Sequence, residues 1–468
     1  MVHLPILRAG SPYESLNKTV VRHIQTDEPL VEVSQANRGL IARDLLSAPE
    51  NRKVLAAVPV QSLIEMCARA ADYFVNDTLP LGDGTQSPQD YVKQLSGTTG
   101  MPEALVWLNM EKIRSVMAGV DRVIDGLTRG LDLSVLDDGW TIQGDRPLSY
   151  ICQTDTLGEI LPSNSPGVHS LWVPSVPLKV PLVLKPGREE PWTPFRIVQA
   201  FLKAGVPPEA FNYYPTDYGG AAEILLKCGR AMLFGGGATV APWKHDPRIQ
   251  IHGPGQSKII FGADAAEHWE DAIDIIVSSV AANGGRSCIN ASSVWTPAHG
   301  DEIAAALADR LSKIVPRPLA DSDAGLCAFL NVKLADMIDG MITAQLKQEG
   351  AREVTEGDRL VKTDGLTYLR PTVVRTKPDH VLADSEFLFP FVSVSELPQD
   401  QILDAIGPSL VVSAVTEDEG FIRSLLDSPK IERLNIGALG TQVVSWDQPH
   451  EGNLFEHLYT QRALQRAG

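Results

Sequence analysis

The sequence predicts an α/β protein built around parallel sheets, and three observations carry that expectation. From Leu161 onward short apolar runs alternate with helical patterns, Gly-rich turns follow several of the runs, and 468 residues with 44% hydrophobic content can bury a large core in two or three domains. The formal net charge of −17 and the lack of a long Lys/Arg cluster argue against a nucleic-acid partner. No apolar run of about 20 residues and no basic start leading into a short apolar stretch is present, which argues against a membrane span or secretory signal and for the cytoplasm.

Residues up to about 135 read as mainly helical, with apolar residues at three- and four-residue spacing in Gln61–Phe74 and Glu111–Leu127. No chemistry is assigned there. The segment 136–158 contains the turn-like Gly144-Asp145 and reads as a hairpin suited to assembly. Next, Val180–Leu184 is a strand running into Lys185-Pro186-Gly187, and a helix follows with Thr193 as N-cap, Pro194 at its first position and Gly205 at its end. Ala231–Phe234 is a further strand running into Gly235-Gly236-Gly237. Both turns fall at carboxyl ends of strands, where open α/β sheets bind ligands. A second α/β region begins at strand Lys258–Phe261 and helix Ala265–Val280, with later strands at Phe391–Val394 and Leu410–Val415.

Five scattered cysteines without a C-x-x-C pair indicate neither a disulfide framework nor a zinc site. No metal is implied, and the polar run His450, Glu451, Glu456, His457 reads as a surface or subunit contact before a metal site. Cys288 differs from the other four because it follows the Gly-rich turn Asn283-Gly284-Gly285-Arg286-Ser287. Main-chain N–H groups in such a turn make a thiol easier to ionise. By itself a lone cysteine is more often a small buried hydrophobe.

Five segments taken together resemble the aldehyde dehydrogenase superfamily in order and approximate spacing. They are Leu161-Pro162-Ser163-Asn164-Ser165-Pro166, Val183-Leu184-Lys185-Pro186, Phe234-Gly235-Gly236-Gly237, Gly285-Arg286-Ser287-Cys288 and Ser385-Glu386-Phe387-Leu388-Phe389-Pro390. The resemblance implies two Rossmann-like three-layer α/β/α domains with a small oligomerisation element, and a homodimer or homotetramer. It makes Cys288 the nucleophile that forms a thiohemiacetal and then a thioester, with Asn164 as oxyanion donor. It makes Pro162, Ser163, Lys185, Arg188, Phe234, Gly236, Gly237 and Glu386 cofactor-binding residues for NAD or NADP, with a small-molecule aldehyde or acyl thioester as substrate.

The sequence also departs from that family. Ile251-His252-Gly253-Pro254 stands where the family carries Glu-Leu-Gly-Gly, so the glutamate that activates water is absent. Acyl transfer to or from coenzyme A, as in an acyl-CoA reductase, is therefore an alternative, with coenzyme A as co-substrate; His252 acting as base is another. Arg188 stands where NAD-preferring members often place a glutamate, which favours NADP, unless Glu189 or Glu190 takes the ribose instead. Trp172, Trp192, Trp243 and Trp446 are candidates to line a pocket. The expected organisation is a helical and dinucleotide-binding part over 1–250, a catalytic domain over 251–435 and a C-terminal tail over 436–468 that contacts a second subunit. A catalytically silent nucleotide-binding scaffold, and a thioesterase or acyltransferase using Cys288 without redox chemistry, fit the bare residues as well.

Overall fold

The computed structural model describes residues 1–466, and its two largest sheets have seven strands each. In the first, Ile249–His252, Arg230–Phe234, Leu157–Ile160, Leu182–Lys185 and Phe211–Tyr213 run parallel in that spatial order. Ile6–Arg8 then joins antiparallel, and Ser11–Tyr13 pairs with it. In the second, Ile431–Ile436, Ser409–Val415, Ser257–Phe261, Ala291–Thr296, Phe391–Glu396 and Thr372–Thr376 are parallel, with Ala351–Glu353 antiparallel at the far edge.

Strands buried on both faces explain the unbroken apolar runs in the sequence. Leu182, Leu184 and Met232 pack on one side of the first sheet with Phe195, Val198 and Phe201 of helix Trp192–Ala204. Val183, Ala231 and Leu233 pack on the other side with Ile224 and Leu225 of helix Tyr218–Lys227. The second sheet is sandwiched in the same way, with Ile259, Val294 and Val392 against one helical layer and Ile260, Trp295 and Val412 against the other. Both sheets are thus the centre of a three-layer α/β/α arrangement, as the resemblance implies.

Several local expectations are corrected. The first 34 residues hold five short strands, and the helices begin only at Arg38. Strands of three to six residues show too little periodicity to be read, and their pairing is decided by the sheet edges that they meet. Glu111–Leu127 is two helices, Glu103–Ala118 and Val120–Thr128, because Gly119 leaves helical geometry at φ −106°, ψ 26°. Ala265–Val280 is likewise interrupted at His268 and resumes as Ile273–Ala281.

Thr193 is not the N-cap of its helix, which starts at Trp192. Instead Glu190 accepts from the Thr193 N–H at 2.8 Å and from its hydroxyl at 2.7 Å, so a carboxylate closes that helix terminus. The hairpin forms from Trp140–Gln143 and Arg146–Cys152, with Gly144 and Asp145 at φ 55° and 63° as the primed two-residue turn that antiparallel strands favour. Tyr459–Arg462 adds a third strand to it, so part of the tail closes onto its own chain. No single helix among the described residues is long and apolar enough to cross a membrane.

Candidate functional site

Cys288 is presented by a strained turn between helix Ile273–Ala281 and strand Ala291–Thr296. Asn283, Gly284 and Gly285 have φ of 54°, 64° and 72°, and a Cβ on Gly285 would stand 2.4 Å from the Phe389 carbonyl carbon. Only glycine meets both demands at that position. Asn283 ties the turn to its neighbours. Its Nδ2 donates to Ser165 Oγ and Ser287 Oγ, each at 3.0 Å, and its Oδ1 accepts from Asn109 Nδ2 at 2.6 Å. Buried Arg286 donates to the carbonyls of Thr99 and Ala328, clamping the turn to the helical region and to the loop ahead of helix Val332–Gln345.

The thiol faces a cavity of about 460 Å³. Pro162, Ser163, Asn164, Phe234, Gly236 and Glu386 border it, so six of the residues singled out by sequence meet Cys288 there. Asn164 Nδ2 donates to the Arg286 carbonyl at 2.7 Å, which orients the amide and leaves its second N–H free of that bond. Ser163 is engaged elsewhere: its hydroxyl donates to Glu189 at 2.9 Å. Gly237 does not border this cavity and starts the short helix Gly237–Val240.

Electrostatics overturn the expectation of an easily ionised thiol. Burial pushes the Cys288 thiol well above its ordinary value, and Glu451 and Glu386 push it further, against Lys112 and the residue's own N–H. Burial also raises Glu386 to about 7, although the N–H groups of Gln256 and Gly255 and the charge of Lys258 hold it down. Lys112, on helix Glu103–Ala118, is lowered by burial, lies 5.1 Å from the Trp446 ring centroid and has no salt bridge among the described residues.

A second cavity, of about 790 Å³, lies on the other side of Phe234. Lys185, Arg188 and Trp243 border it, whereas Glu189 and Glu190 do not. Glu190 is buried and engaged with His169 Nε2 at 3.0 Å as well as with Thr193, so of the three residues weighed for the ribose only Arg188 faces this space. Trp446 lines the thiol cavity, while Trp172 and Trp192 are core residues.

Two groups at the thiol escaped sequence reasoning. Lys112 sits in a region to which no chemistry was assigned, although a single lysine inside an amphipathic helix was its only signal. Within the polar run around His450, His450 and Glu451 fold back to border the thiol cavity, while Glu456 is exposed. Glu451 there accepts a hydrogen bond from His252 Nδ1. Polar clustering was visible, but nothing local says which way a tail turns.

A parallel-stranded α/β molecule with a loop-borne thiol at a cavity beside strand ends belongs to the class of proteins that bind a ligand across a sheet's carboxyl edge. The family is decided by comparison. Residues 144–406 match the model of the aldehyde dehydrogenase family, and the chain belongs to that family, whose members are oxidoreductases acting on aldehydes. Solved structures with the same fold include 3,6-anhydro-L-galactose dehydrogenase in complex with NAP, at 16% identity and a TM-score of 0.80 over 98% of this chain and 99% of that one. The aldehyde dehydrogenase KauB from Pseudomonas aeruginosa matches at 15% identity and 0.81 over 99% and 96%. Succinate-semialdehyde dehydrogenase from Burkholderia pseudomallei matches at 17% identity and 0.78 over 98% and 97%.

Proposed function

We propose that this aldehyde dehydrogenase works through a covalent thioester on Cys288 and uses NAD(P), with NADP favoured. The observation that carries the reading is that Cys288 and Asn164 face one cavity, which shares Phe234 as a wall with the cavity holding Lys185 and Arg188. The thiol proton must leave before attack, and Glu386, raised by burial to about 7, stands in the same cavity to take it. Sulfur then bonds to the aldehyde carbon, and charge builds on the carbonyl oxygen. The second Asn164 N–H and the Cys288 backbone N–H are the donors for that oxygen.

Lys185 and Arg188 fit a phosphorylated nucleotide, because both are cations at a roomy cavity and neither forms a salt bridge among the described residues. NAD(P) bound there would supply the hydride acceptor that turns the adduct into a thioester. Pro162, Ser163, Phe234, Gly236 and Glu386 would flank it toward Cys288. Arg188 offers charge-assisted hydrogen bonds to a 2′-phosphate, and Glu189 and Glu190 face elsewhere.

A second reading makes coenzyme A the acyl acceptor or donor. Ile251, at the position of the family's glutamate, packs into the apolar layer behind the sheet and presents no carboxylate. The test is nicotinamide absorbance with NADP⁺ or NAD⁺ and a panel of aldehydes, with and without coenzyme A, beside the reverse assay with acyl-CoA. Cys288→Ala is expected to lower turnover by at least about a thousandfold while leaving nucleotide binding intact. Turnover within tenfold of the parent would refute the thioester.

A further inference from the structure

Beside the thiol cavity lies a side cavity of about 30 Å³, and Leu171, His252, Trp446 and His450 border both. Four residues around it each bury a polar atom without a partner among the described residues: Ser170 Oγ, Gln250 Oε1, His252 Nε2 and His450 Nδ1. Buried polar atoms are normally satisfied, and a space of this size with several polar partners suits one or two water molecules. An apolar ligand would leave all four unsatisfied.

His252 is also held as a base is held. Its Nδ1 hydrogen-bonds Glu451, with the two side chains only 2% and 8% exposed, and its ring stacks on Phe234 with centroids 4.3 Å apart and planes at 17°. A carboxylate accepting from Nδ1–H selects the tautomer whose Nε2 carries the lone pair. Burial pushes His450, at the edge of this side cavity, well below its ordinary value, with the positive charges of its neighbours acting in the same sense, so its neutral form is favoured there.

We propose that the side cavity holds the hydrolytic water and that His252, positioned by Glu451 of the C-terminal tail, is the general base that delivers it to the Cys288 thioester. The inference rests on the thioester reading above. His252 Nε2 takes a proton as the water oxygen bonds to the thioester carbon. The tetrahedral adduct collapses, the C–S bond breaks, a carboxylic acid leaves, and the imidazolium returns its proton to the Cys288 sulfur. Thioester and water become acid and thiol, with no oxidant in this half of the cycle. Water is then the acyl acceptor, and the tail takes over the function of the glutamate missing at Ile251.

The test separates the two halves of the cycle by rapid mixing of enzyme, cofactor and aldehyde. His252→Gln and Glu451→Gln are expected to keep the first-turnover burst of reduced nicotinamide but to lower steady-state turnover at least about a hundredfold and about tenfold, respectively. Intact mass should show acyl groups accumulating on Cys288, and hydroxylamine should restore turnover by releasing them. Ser170→Val, which fills the side cavity without touching the base, should slow the steady state and spare the burst. A merely structural pair, pinning the tail, would lose burst and steady state together, and that result overturns the proposal. So does steady-state turnover within threefold of the parent in His252→Gln, or parental acyl-enzyme that persists until coenzyme A is added. No acyl-Cys288 in the parent with any aldehyde would defeat the thioester reading itself, and this inference with it.

Discussion

The two cavities that meet at Phe234 carry opposite chemistry. Around Cys288, Glu386 and Glu451 are opposed, among the described residues, by the cation Lys112, and burial and the carboxylates push the thiol up. On the far side Lys185 and Arg188 face the space, and their acidic neighbour among the described residues, Asp217, accepts from the Gly220 N–H at 2.9 Å to cap a helix. The difference teaches that cations are concentrated where a phosphorylated ligand would be gripped, and bases where a proton must be moved. Spreading both kinds of charge over one cavity would neutralise each.

Three substitutions sharpen that contrast. The largest effect is expected for Asn164→Ala, which removes the proposed oxyanion donor. Its kcat should fall about a hundredfold with little change in KM, and a KM effect alone would move Asn164 from the reaction to ground-state binding. Next, Arg188→Glu should weaken NADPH about tenfold more than NADH in paired titrations. Equal losses would mean that the basic cavity reads the pyrophosphate and not the 2′-phosphate.

The smallest effect concerns the acidic cavity. Cys288 alkylation by iodoacetamide should stay slow through neutral pH and rise only above the ordinary thiol range, because burial and the carboxylates favour the protonated form. Lys112 opposes that shift, so Lys112→Met removes a charge that stabilises the thiolate. The alkylation profile should move to still higher pH, with the rate at pH 8 down severalfold. A profile unmoved by the change would show that the cation does not act on the sulfur.

Much of this arrangement was legible beforehand, but unevenly. The strand and turn around Lys185, the glycines leading to Cys288 and the cysteine itself were readable because buried parallel strands are continuous apolar runs, and because successive left-handed residues call for glycine or asparagine. Six marked residues border the same cavity as Cys288. Thr193 was misread as a cap because propensity favours threonine there, whereas the buried carboxylate of Glu190 reaches the helix end through tertiary packing. The expected ease of ionisation failed for a related reason, since a turn's N–H groups are local and the opposing desolvation is not.

By itself the sequence determined the alternation of elements, the strands that run into turns at Lys185 and Gly235, and the glycine turn that presents Cys288, because each is written in contiguous residues with a fixed period or a fixed backbone demand. Only the tertiary structure decided what surrounds the thiol. Lys112 arrives from a helix 176 positions before Cys288, and Glu451 from a tail 163 positions after it. Neither belongs to a local pattern, and both act on the sulfur through space, where burial lowers the screening between charges.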